Sequence, residues 1–118
     1  MGFWFDCNVK VKFNAADYED AVEKFGKLLK VSIGDASYAE GGVDTSLRYN
    51  VYNKVATVVV SIRSEDGGQE NNKAMLDWYK ASINIDWVRY AEYVYDADWH
   101  PEVYKRIYGR YDDVYGDD

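Results

Sequence analysis

The N-terminal stretch carries the strongest constraint in the chain. Phe3, Phe5, Cys7, Val9, Val11 and Phe13 alternate without a break with Trp4, Asp6, Asn8, Lys10 and Lys12. Side chains repeat every second residue only in an extended backbone, so this pattern predicts a half-buried strand over about 3 to 13. A helix is expected next. Asn14 suits an N-cap, and Asp17, Glu19 and Asp20 lie where the helix dipole favours negative charge. Lys27 and Lys30 suit the other end, and Tyr18, Ala21, Val22, Phe25, Leu28 and Leu29 recur at intervals of three and four. These features predict a helix over 15 to 30 that lays one apolar stripe on the strand.

Residues 34 to 45, GDASYAEGGVDT, have no periodicity and read as a loop. Two runs then alternate on either side of Asn53 and Lys54, which predicts a hairpin of strands 46 to 52 and 55 to 63. After the polar run SEDGGQENN, the spacing of Ala74, Met75, Trp78, Tyr79 and Ser82 predicts a helix over 70 to 82. Residues 83 to 95 fit either period, and their Trp, Tyr, Ile and Val content favours a strand. Pro101 suits a first helical turn, and Val103, Tyr104, Ile107, Tyr108, Tyr111, Val114 and Tyr115 share one helical face, predicting a C-terminal helix. The expected fold is a single α+β domain over residues 1 to 118. It is a β-α-β-β-α-β ferredoxin-like sheet with helices on one face and an added C-terminal helix. Its expected core is Phe5, Val9, Val11, Val22, Phe25, Leu29, Val58, Val60 and Trp78.

Charge bounds the function. Lys and Arg number 14 against 21 Asp and Glu, a net charge of −7, which disfavours direct contact with nucleic-acid phosphates. Residues 1 to 64 balance at 8 acids and 8 bases, whereas residues 65 to 118 hold 13 acids and 6 bases. The second half also carries 11 of the 20 aromatic residues. Tyr and Trp bring stiff, half-polar surface to interfaces, so this coincidence points to a binding surface, with an aromatic core as the alternative. Glu92, Asp96, Asp98, Asp112 and Asp113 are the expected steering charges. Tyr93, Trp99 and Tyr108 are the expected anchors.

Catalytic chemistry finds little footing. One Cys and one His exclude a disulfide framework and a Cys/His zinc site. His100 stands beside a helix start, and Cys7 lies on the apolar side of a strand, where burial suppresses the thiolate. No nucleophile elbow, phosphate loop or dinucleotide fingerprint is present. The paired carboxylates lack calcium-loop spacing. The expectation is a non-enzymatic protein without metal or cofactor. No stretch is long and apolar enough for a membrane span and the N-terminus lacks signal-peptide character, so the expected compartment is the cytoplasm.

A compact acidic domain rich in Tyr and carboxylates resembles, in composition and mainly over residues 65 to 118, the small phage inhibitor proteins of the anti-CRISPR and anti-restriction groups. That resemblance implies acidic side chains seated in a basic nucleic-acid channel of an effector, as in DNA mimicry. Lys73, Lys80, Arg89, Lys105, Arg106 and Arg110 interrupt the acidic half and depart from strict mimicry. An immunity protein against a toxin would use the same physics. A structural homo-oligomer or virion component would instead bury its aromatic face against copies of itself.

Overall fold

A computed structural model of the chain describes residues 4–30, 43–65, 69–97 and 104–108. The first strand, β1 (Trp4–Asn14), forms where the alternation predicts it. It is central in a five-stranded sheet of order β2-β3-β1-β4-β5, in which every neighbouring pair is antiparallel. The other strands are β2 (Val43–Asn50), β3 (Val55–Glu65), β4 (Val88–Ala97) and β5 (Lys105–Tyr108). Two helices, α1 (Tyr18–Lys30) and α2 (Gln69–Ile83), complete an α+β fold.

Register explains the core. Val9 lies opposite Val60 and Tyr93, and Val11 lies opposite Val58 and Ala91, so the odd positions of β1 share one face with the apolar positions of both neighbours. Both helices cover that face. Ala21 and Leu28 from α1 join Met75, Trp78 and Tyr79 from α2 in a single buried cluster with Val9, Val11, Phe13, Val58 and Val60. The Trp78 indole Nε1–H donates to the Leu28 carbonyl at 3.0 Å, tying the two helices together through a buried polar pair.

Several boundaries differ from expectation, each for a local reason. Asp17 rather than Asn14 caps α1. Its Oδ1 accepts the Asp20 N–H at 2.8 Å, while Asp20 Oδ2 accepts the Ala16 N–H at 2.9 Å, a reciprocal arrangement of the capping-box type. Asn14 serves instead as an acceptor for the Arg89 guanidinium at 2.6 Å. Strand β2 starts at Val43, within the stretch read as loop, and ends at Asn50. Asn50 Oδ1 takes the N–H groups of Tyr52 and Asn53, turning the chain before Val51 and Tyr52 can extend the strand. Lys54 adopts φ 58° there, and its carbonyl accepts the Ala15 N–H at 2.9 Å, which pins the hairpin tip to the β1–α1 connection.

Helix α2 ends at Ile83, where the Asn84 side chain donates to the Lys80 carbonyl at 3.0 Å. The favoured strand in the ambiguous stretch begins only at Val88, after this turn. The expected C-terminal helix is corrected over 105 to 108. Those residues form β5, with Ile107 opposite Tyr93 and Tyr108 opposite Glu92, because the outer edge of β4 offers unpaired backbone groups that a short strand satisfies. The rest of that expected helix lies outside the described residues.

Within the expected core, Val9, Val11, Val58, Val60 and Trp78 are buried, while Phe25 and Leu29 are partly buried against them. Phe5, expected in the core, is also half-buried, stacked on Tyr95 with ring centroids 5.8 Å apart. Val22 is corrected to the surface, 43% exposed, because the stripe of α1 is wider than the strip of sheet it covers. Trp78→Ala should therefore cost about 3 to 5 kcal/mol in urea unfolding, and Phe25→Ala roughly half as much. Val22→Ser should fall within about 0.5 kcal/mol of the parent protein.

Candidate interaction surface

The face of the sheet opposite the helices carries the even positions of β1, namely Asp6, Asn8, Lys10 and Lys12, with their cross-strand neighbours on β3 and β4. Antiparallel pairing sets these side chains about 5 Å apart, near enough for opposite charges to meet. Arg63 grips Asp6 through Nη1, at 2.8 and 2.7 Å from its two carboxylate oxygens. The Ser61 hydroxyl donates to Asn8 Oδ1. The Lys12 ammonium lies 5.8 Å from the centroid of the Tyr90 ring, and the Tyr90 hydroxyl donates to Glu92. Arg106 on β5 donates to the same Glu92 oxygen at 3.0 Å.

This pairing decides what each expected site residue can do. Glu92 is an internal acceptor with a side chain only 12% exposed, so its charge is already spent on Arg106 and Tyr90. Asp96 stands on the same face opposite Asp6, and it too is engaged. Tyr93 is corrected from anchor to core: it points to the helix side at 0% exposure, which removes it from any partner's reach. Tyr108 closes β5 opposite Glu92. Asp98, Trp99, Asp112 and Asp113 lie outside the described residues, as does His100.

The charge ledger shifts accordingly. The described residues contain 13 Lys and Arg against 12 Asp and Glu, a net of +1, while the remaining residues contain 1 base and 9 acids, a net of −8. All of the acidic excess thus belongs to residues 31 to 42, 66 to 68, 98 to 103 and 109 to 118.

Two further features were not legible in the sequence. The β2–β3 turn projects Val51, 64% exposed, and Tyr52, 95% exposed, beside an open groove of about 270 Å³ lined also by Arg48, Tyr49, Asn50 and Thr57. Alternation places Val51 with Leu47 and Tyr49, and only the asparagine acceptors of the turn could have warned otherwise. On the buried side, Cys7 and Tyr93 meet. The Cys7 thiol makes only a weak contact with Asn72 Oδ1 at 3.9 Å, and the Tyr93 hydroxyl lies beside the sulfur without a regular hydrogen bond. Burial pushes the thiol up to about 12 and raises the phenol well above its ordinary range. Such a thiol is a poor nucleophile near neutrality.

Among the described residues no three His, Cys, Asp or Glu side chains gather as metal ligands, and no helix is long and apolar enough to cross a membrane. No protein-family model matches the chain, and comparison with curated proteins and with solved structures gave no significant match.

The Cys7 shift has a definite sign in a stability profile. The buried neutral thiol contributes fully below the unfolded value near 9.0, and that contribution is lost as pH rises towards about 12. Stability should fall by about 1.4 kcal/mol per pH unit above pH 9 from this group, with Tyr93 adding to the slope above pH 10. Cys7→Ala should flatten the profile between pH 9 and 10, measured by urea unfolding at a series of pH values.

Proposed function

We propose that this chain is a non-enzymatic protein-binding module, an inhibitor that occupies a basic, nucleic-acid-binding surface of a partner in the cytoplasm. The distribution of charge along the sequence carries the reading: residues 65 to 118 hold 13 acids against 6 bases, while residues 1 to 64 balance at 8 each. Asp98, Glu102, Asp112, Asp113, Asp117 and Asp118 follow β4 and β5 in the chain and supply six of those carboxylates. A basic channel built for phosphates attracts them through the same field, which speeds encounter more than it strengthens the final contact. Trp99 and Tyr108 are the aromatic anchors of this reading, and Glu92 and Tyr93 support the fold. An inhibitor of the anti-CRISPR or anti-restriction kind fits this distribution.

The scaffold is read as a ferredoxin-like sheet extended by one strand. The order β2-β3-β1-β4, antiparallel throughout, with two helices over one face supports that reading. Such a scaffold hosts many activities, so the functional reading rests on charge rather than on topology.

Capture of the partner from host lysate followed by mass spectrometry identifies it, and association kinetics then test the mechanism. Asp112→Asn combined with Asp113→Asn should slow association and flatten its salt dependence with little change in dissociation. Glu92→Gln should leave the association rate unchanged, because that carboxylate is already paired. Gel-shift titrations should show no tight binding to DNA or RNA at physiological salt. Tight nucleic-acid binding, or an association rate indifferent to the Asp112 and Asp113 substitutions, would overturn this function.

A further inference from the structure

Strand β2 is an edge strand of the sheet that the described residues form. Its inner side pairs with β3 without a register break from Val43 to Asn50, and among the described residues no strand pairs with its outer side. This edge of eight residues carries no proline, lysine or bulge, and its only charged side chains are Asp44 and Arg48. The other edge of the sheet ends in the four-residue β5. The two edges are therefore unequal, and β2 is the longer template.

The charges of β2 specify what fits there. Asp44 and Arg48 stand four residues apart on the outer face, both exposed, opposite the uncharged Ser61 and Thr57 of β3. Neither has an ion-pair partner among the described residues, whereas the five charged side chains on the outer face of β1 and β4, from Asp6 to Asp96, are all engaged. Ser46 lies midway between them. An antiparallel copy of β2 placed about a two-fold axis at Ser46 sets Asp44 opposite Arg48 of the second chain, and Arg48 opposite its Asp44. The inward positions then match Thr45 with Leu47 and Val43 with Tyr49, continuing the sheet without a change of face. A strand whose own unpaired charges are complementary about its centre is the signature of an isologous contact.

We propose that the chain forms a two-fold dimer by antiparallel pairing of β2 with β2 of a second copy, in register about Ser46, joining two five-stranded sheets into one of ten. The dimer stands independently of the inhibitory function.

Analytical ultracentrifugation of the full chain over a range of concentrations reads the association directly, and a dimer is expected. Asp44→Arg and Arg48→Asp should each weaken it by about tenfold, since each puts like charges opposite one another at two symmetric positions. The double variant exchanges the two charges and should recover the parent affinity. These positions are exposed, so thermal melts of all three should stay near that of the parent. Ser46→Cys adds a test of register, because the sole native cysteine, Cys7, is buried. Mild oxidation should join two copies through position 46, while a cysteine at the exposed Lys80 of α2 should not cross-link. A monomer at all concentrations, a dimer indifferent to single charge reversal, or a dimer that Ser46→Cys fails to cross-link would overturn the proposal.

Discussion

Pairing of β1 on both of its edges is the constraint on which the rest of the structure depends. Antiparallel neighbours β3 and β4 satisfy its backbone, and that double pairing fixes where every side chain of three strands must go. Because successive side chains point to opposite faces, a slip of one residue would carry Val9 and Val11 to solvent and Lys10 and Lys12 into the core. The apolar cost of that slip falls on three strands together, so the register is held far more firmly than any single contact would hold it. The helices respond to this surface, with Leu28 and Trp78 meeting over it through one buried hydrogen bond.

The same register organises the polar face. Once Val9 is set against Val60 and Tyr93, Asp6 must face Arg63, Lys12 must come beside Tyr90, and Glu92 must lie near Arg106 once β5 adds to the edge. Exposed pairs of this kind contribute little to stability individually. Their consequence is electrostatic silence, because the sheet offers a partner no excess charge over its centre. Among the described residues, Asp44 and Arg48 on the β2 edge stand apart from this pairing.

The aromatic excess divides along similar lines. Trp78, Tyr79 and Tyr93 are buried, Tyr90 lies over a lysine on the polar face, and Trp87 packs edge-on to Phe13 with ring centroids 5.1 Å apart. Several aromatic residues that suggested an interface by their number thus build the interior instead. A domain of this size can accommodate them because antiparallel strands let large rings interleave with small partners, as Tyr93 does beside Ala91. Tyr52, Tyr18 and Tyr104 are the ones left prominently exposed among the described residues, at 95%, 59% and 50%.

Much of the secondary structure was legible without tertiary information. Strand β1, both helices and the hairpin follow from periods of two and of three to four, because a side chain's direction within one element depends only on local backbone geometry. Which faces then meet depends on long-range pairing that no local period encodes. That is why Val22 could share a stripe with Ala21 and Leu28 yet remain outside, and why Tyr93 could look like an anchor yet lie at the centre of the core. It is also why Lys105–Tyr108, whose spacing suits a helix, became a strand: the unsatisfied edge of β4 outweighed a local preference shared by both states. Composition alone determined the total charge. Only the fold decided which carboxylates remain free, because a charge is neutralised by whatever lies opposite it across a strand, and that neighbour is chosen by register.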